Sequence, residues 1–257
     1  MNAELQERLF ADLRTSGFYS EMMAIRACRA AGWECRGGFT YFDRDERTTR
    51  ECDFEAVRKW RDLRTGNRVA ARLLGQVKKS EKPWIVFVDR ATHGFDDGLE
   101  TLLHVTEEEN RWKVGAALRQ RSPVLDDGWT ASGIHEAFKK PTDISRWYSA
   151  FVSVCKACET AYETNVENEA GLVAQLIKPV VVLDGLLMAA ELGDDAELVL
   201  TETDHARFRF EYRSDRYDRA AYYLDLVTLT GLPRYLEGTA DRMNIILRAL
   251  HRNGVRR

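Results

Sequence analysis

Asp53, Gln76 and Lys78 carry the residue types and spacing that can do chemistry in this chain. Asp53 sits in the run "RECDFEA", where Cys52, Phe54 and Ala56 alternate with Glu51, Asp53 and Glu55. That alternation predicts a strand with one apolar and one acidic face. Gln76 and Lys78 sit two apart in "LLGQVKKSEKPWIVFV", so on a second strand they share a side. With the two strands adjacent, a carboxylate, an amide oxygen and an ammonium converge. Oxygen ligands of that kind hold a divalent cation, which polarises a phosphate and acidifies bound water. The Lys78 ammonium would orient that water or stabilise charge on phosphorus, so the set suits phosphodiester hydrolysis.

The elements that must position these residues follow from periodicity. Leu5, Leu9 and Leu13 recur at four-residue steps and predict a first helix with a stop at Gly17. "FYSEMMAIRACRAAG" predicts a second helix, in which Glu21, Ile25 and Cys28 share a face. A carboxylate at the edge of a packed face needs a partner. Two short strand-like runs flank "DRDE" as a hairpin would, and "RTGN" at 64–67 marks the turn into the strand that carries Gln76 and Lys78. "PWIVFV" is continuously apolar and predicts a strand covered on both sides. Residues 91–142 mix helical pieces with turn residues and give no clear order.

A long helix is then expected over 143–164, capped by Asp143 or Thr142. The strands "PVVVLDG", "ARFRFEYRS" and "YYLDLVTL" and a terminal helix complete the chain. The whole predicts an α/β fold, a mixed central sheet flanked by helices.

Together the helix with Glu21, the run "RECDFEA" and the stretch "GQVKKSEKPWIVF" resemble the PD-(D/E)XK nuclease superfamily. The resemblance implies a restriction-endonuclease-like αβββαβ core over 10–90 and 143–190, with extra C-terminal strands and a helix at 191–257, in one domain spanning 1–257. In that family an acid on the second core strand is followed on the third by an acid, any residue and a lysine. Asp53 matches the first acid, Lys78 the lysine, and Glu21 the helical acid that completes a metal shell. Gln76 departs from the pattern, standing where Glu or Asp is usual. It removes one negative charge and predicts weaker affinity for Mg²⁺ or Mn²⁺. Glu55, on the same side as Asp53, is a candidate to supply that charge. The implied activity is metal-dependent cleavage of DNA, in host defence or repair. The alternative is a nuclease-like chain that has lost cleavage and serves as a nucleic-acid or protein-binding component of a larger assembly. Double-strand cutting would call for a homodimer.

Composition sets limits. At 257 residues and 44% hydrophobic content the chain can build a sizeable core, and no run is apolar enough for a membrane span. Five irregularly spaced cysteines predict reduced thiols and a cytoplasmic setting. Cys155 and Cys158, three apart in "VCKAC", read as buried small residues on a helix face rather than as zinc ligands. The five histidines form no HxxxH or HExxH pair, and no GxxxxGK[ST], GxGxxG or GxSxG occurs. A net charge of −3 argues against a broadly basic nucleic-acid binder, but 38 Lys and Arg leave room for a local patch. Arg50, Lys79 and Lys82 flank the candidate site and are expected to contact phosphates. In "RFRFEYRSDRY", Phe208, Phe210 and Tyr212 are expected to pack, with Arg207, Arg209 and Arg213 exposed.

Overall fold

The computed structural model describes residues 2–88, 102–106, 108–118, 129–140, 145–164 and 172–251. Two helices, α1 (Ala3–Thr15) and α2 (Gly17–Ala30), precede the hairpin of β1 (Glu34–Asp43) and β2 (Thr48–Arg61). Asn2 caps α1, its side-chain oxygen accepting the Glu4 N–H at 3.1 Å. Gly17 does not stop α1; Ser16 ends it and Gly17 opens α2. Strand β3 (Arg68–Lys79) follows the Asp62–Asn67 turn, and β4 (Trp84–Val88) follows β3 after four residues.

Next come β5 (Leu103–Val105), α3 (Glu108–Leu118), β6 (Trp129–Glu136) and α4 (Arg146–Thr164). The chain continues through β7 (Leu172–Asp184), β8 (Leu187–Leu192), β9 (Leu198–Glu202), β10 (His205–Glu211), β11 (Ala221–Thr228) and α5 (Leu232–His251). The strands join in one mixed sheet ordered β1-β2-β3-β7-β11-β10-β6-β4-β8-β9, with β5 also paired to β7. No helix among the described residues is long and apolar enough to cross a membrane.

The sheet curls back on itself. β3 and β7 run parallel, and their continuations β4 and β8 are parallel again five places further along. The Ser80 N–H donates to the Asp184 carbonyl (3.0 Å) and the Trp84 N–H to the Leu186 carbonyl (2.9 Å), which carries the pairing through a shared bend. A side chain at Gly185 would meet the Ser80 carbonyl oxygen at 2.4 Å, so the corner needs a glycine there. Helix α4 lies inside the curl, with Phe151, Val154, Cys155 and Cys158 packed on Trp84, Leu183, Phe208 and Leu226. A second core lies on the other side of the sheet, where Ala24 and Cys28 of α2 and Leu236, Met243 and Ile246 of α5 cover Phe54, Leu73, Val180 and Val182. All five cysteines are buried free thiols.

Several expectations are corrected. β4 is covered on one face, with Trp84, Val86 and Val88 buried while Phe87 is 41% exposed. β7 begins seven residues before Pro179. That proline is tolerated because the β5 ladder ends at Leu176 and the β11 ladder begins at Val180, so no neighbour on that side needs its missing N–H. Helix α4 begins at Arg146; the expected caps Thr142 and Asp143 lie outside the described residues. Its first turn is instead met from β6, where a Glu136 carboxylate oxygen accepts the N–H groups of Arg146 (2.8 Å) and Trp147 (3.4 Å). Arg207 is not exposed but paired to buried Asp225 at 3.1 Å, whereas Arg209 and Arg213 are exposed as expected.

Candidate active site

Strands β1 and β2 both change faces at the same place. Cys35 on β1 and Phe54 and Ala56 on β2 belong to the core under α2 and α5. Tyr41 on β1 and Cys52 on β2 belong to the core around α4. Between them stand Gly38 and Asp53, the two positions that the pairing passes over between Gly37–Phe54 and Phe39–Cys52. Gly38 has φ +69°, a conformation that favours glycine, and a Cβ on it would also displace the end of the Glu51 side chain. A glycine within a strand pattern is the sequence signal for such an irregularity.

The reversal frees Asp53 from the alternation. Backbone pairing of β2 with β3 stops at Phe54 and Gly75. Beyond it, side chains replace the ladder: Asp53 Oδ2 accepts the Val77 N–H at 2.6 Å, and Gln76 Nε2 donates to the Glu51 carbonyl at 3.0 Å. The strands can separate there without leaving buried backbone groups unpaired. Gly75 allows the approach, since a Cβ there would fall 2.1 Å from the Phe54 ring.

Gln76 is buried, and its Oε1 accepts a hydrogen bond from Lys78 Nζ at 2.9 Å. Glu21 approaches from α2. Burial pushes its carboxyl above the ordinary range, and Asp53 and Glu51 push it further while Lys78 opposes them. Asp53 is also raised, mainly by burial and partly by Glu51, against the pull of the Val77 N–H and Lys78. Glu21, Asp53, Glu51 and Lys78 therefore share one electrostatic field in which three carboxylates meet one ammonium.

Other residues expected at or beside the site have partners of their own. Glu55 is buried with its two oxygens held by Arg36 (2.5 Å) and Arg72 (2.6 Å), so its charge is already spent. Arg50 pairs with Asp43 at 3.3 Å, Lys79 Nζ reaches the Arg14 carbonyl at 2.5 Å, and Lys82 Nζ reaches the Phe138 carbonyl at 3.0 Å. Lys79 thus ties α1 to the end of β3.

Sequence reasoning missed three neighbours. Glu51, one residue of the acidic run on β2, helps to raise the carboxyls of both Asp53 and Glu21. Cys52 is fully buried, its thiol pushed up by burial and by Asp53 while Gln76 hydrogen-bonds it. Asp184, which ends β7 opposite Lys79, accepts a hydrogen bond from the buried Ser20 hydroxyl of α2 and so anchors the helix that carries Glu21. Asp184 was legible as the polar residue interrupting "VVVLDG".

No three His, Cys, Asp or Glu side chains among the described residues converge closely enough to hold a metal ion by themselves. The donor set at hand is two carboxylates, Asp53 and Glu21, and the Gln76 amide oxygen. Burial raises both carboxyls first and neighbouring carboxylates add to it, and a hard dication would offset both effects, so the set fits Mg²⁺ or Mn²⁺ in charge and ligand type. No family model, curated protein or solved structure matches the chain.

Proposed function

We propose that this chain is a metal-dependent nuclease acting on DNA, of the PD-(D/E)XK type. The observation that carries the reading is the junction of β2 and β3, where Asp53 leaves the ladder beside Gln76 and Lys78 while Glu21 approaches from α2. The order α2-β1-β2-β3, then α4-β7 after an insertion of β4, β5, α3 and β6, with β7 parallel to β3, is what supports an αβββαβ core.

Asp53, Glu21 and the Gln76 oxygen would hold the dication, which supplies Lewis acidity toward the scissile phosphate and an acidified water. Lys78 is positioned by Gln76 and offers a charged donor where negative charge develops on phosphorus. Asp53 is oriented by the Val77 N–H, so its carboxylate is fixed before substrate arrives. Host defence or repair would be the setting, in the cytoplasm.

One observation favours a second reading, a nuclease-like chain that binds nucleic acid or protein without cutting. The Gln76 oxygen that would face a metal accepts from Lys78 instead, and among the described residues no three acids converge closely enough to hold a metal ion. One experiment separates the two. Supercoiled, linear, methylated and single-stranded DNA, and RNA, are incubated with Mg²⁺ or Mn²⁺ and wild type, Asp53→Ala, Lys78→Ala or Gln76→Glu. Cutting that is lost in the first two variants and kept or increased in the third establishes the nuclease. Cutting by Gln76→Glu alone marks a disabled or partner-activated site, and no cutting by any protein leaves the binding component.

A further inference from the structure

The chain carries an overall charge of −3, yet residues 58–72 hold six basic side chains and one acid. These residues form the far end of β2, the turn and the start of β3. In the antiparallel register Arg61 stands directly opposite Arg68, which concentrates positive charge at this end of the hairpin. Asp62, the one acid, accepts the N–H of Arg64 at 2.8 Å and of Thr65 at 3.4 Å and so shapes the turn.

Beside this turn the last turns of α5 complete a cavity of about 570 Å³. Arg61, Arg64 and Arg248 line it together with Asp62 and Asn244, so three guanidiniums stand against one carboxylate, and Leu63 and Leu247 supply apolar wall. Leu63 is 89% exposed at the tip. The three guanidiniums come from a strand, a turn and a helix, so the fold brings together charges that the sequence separates. Guanidinium is the cation best matched to phosphate oxygens, through paired N–H donors.

We propose that this cavity is a phosphate-binding subsite that holds the backbone of a nucleic acid at a distance from the candidate active site. Nucleic acid is favoured over an acidic peptide by reach. Eight residues of strand separate Asp53 from Arg61, about 26 Å at the strand rise. A duplex covers that distance in about eight base-pair steps and can engage both places at once. This step rests on the reading of the chain as one that acts on DNA, and its test is separable from that reading.

Binding of a fluorescently labelled 30-base-pair duplex is followed by anisotropy from 50 to 300 mM salt, using Asp53→Ala protein so that nothing is cut. The same background carrying Arg61→Ala, Arg64→Ala and Arg248→Ala is compared with it, with circular dichroism showing both folded. The expected result is at least tenfold weaker binding, with a slope of log K against log salt shallower by about 2–3, one phosphate per arginine. Binding of a six-base-pair duplex, too short to span the two places, should then differ far less between the two proteins. Equal affinity and equal slope on the long duplex overturn the subsite, as does equal competition by polyglutamate, which would make it a surface for acidic protein. Wild type that cuts while the triple variant binds unchanged removes the subsite and leaves the nuclease. A retained slope difference in a chain that never cuts leaves the subsite and removes the nuclease.

Discussion

Asp53 is in tension between stability and chemistry. Burial and Glu51 raise its pKa above the ordinary carboxylate value, so the folded state binds its proton more readily than the unfolded chain does. A raised carboxyl of this kind costs nothing below the unfolded pKa and becomes a penalty as pH rises through the folded one. Asp53→Asn retains an oxygen for the Val77 N–H and removes the charge. The expected outcome is loss of cleavage with a urea midpoint at pH 7.5 equal to or above wild type, the gap closing toward pH 4. A midpoint well below wild type at both pH values would show that burial does not oppose the charge. Asp53→Ala also strands the Val77 N–H, and should unfold more easily than Asp53→Asn by about 1–2 kcal/mol. Gly75 belongs to the same local argument. Gly75→Ala drives a methyl into the Phe54 ring and should lower stability by about 1–3 kcal/mol, with Phe54→Leu in the same chain recovering part of the loss.

At the scale of elements, what could be read from the sequence depended on whether the cause was local. The β1–β2 hairpin and the shared side of Gln76 and Lys78 on β3 were legible because turn residues and period-two geometry act within a few positions. Glu21 was legible as an acid on a packed helix face. The reversal at Gly38 and Asp53 was not, because it shows only when two strands are compared side by side. The corner at 80–83 reads locally as a turn, and only pairing with 185–186 shows that one bend serves two strands. The start of α4 was hidden for the same reason, since Glu136 comes from another element. Glu136→Ala removes the acceptor for two N–H groups at that end and the partner of Arg146, whose Nε lies 3.3 Å away. A loss of about 1–2 kcal/mol in chemical denaturation is expected, the size of a lost helix cap. Glu136→Gln should recover most of it if hydrogen bonding dominates, and little if the charge does.

Across the molecule, the sheet is fastened by buried charge at its centre. Asp225 on β11 is fully buried and meets Lys178 of β7 at 2.5 Å, His205 of β10 at 2.9 Å, Arg207 of β10 at 3.1 Å and the Tyr235 hydroxyl of α5 at 2.9 Å. Burial alone would push its carboxyl up, but Lys178, Arg207 and the His205 hydrogen bond more than offset this and hold it well below the ordinary range. Burial lowers the pKa of His205 despite Asp225, which leaves the imidazole neutral near pH 7. Both shifts destabilise the fold in acid, in separate windows. His205 contributes first, as the unfolded chain takes up a proton when pH falls through about 6.5. Asp225 follows, its contribution being present above about 3.8 and lost as pH falls below that value. Asp225→Asn leaves Lys178 and Arg207 buried without their shared carboxylate, and a loss of about 3–5 kcal/mol is expected at pH 7. In that variant the step below about pH 4 should shrink, because the group responsible is gone. Urea midpoints taken every half unit from pH 3 to pH 8 for both proteins would show it. An unchanged acid step would mean that other carboxylates govern it. Asp45, brought to about 2 by Lys156 and by hydrogen bonds from Ser214 and Tyr212 against the effect of burial, would then be the next to replace.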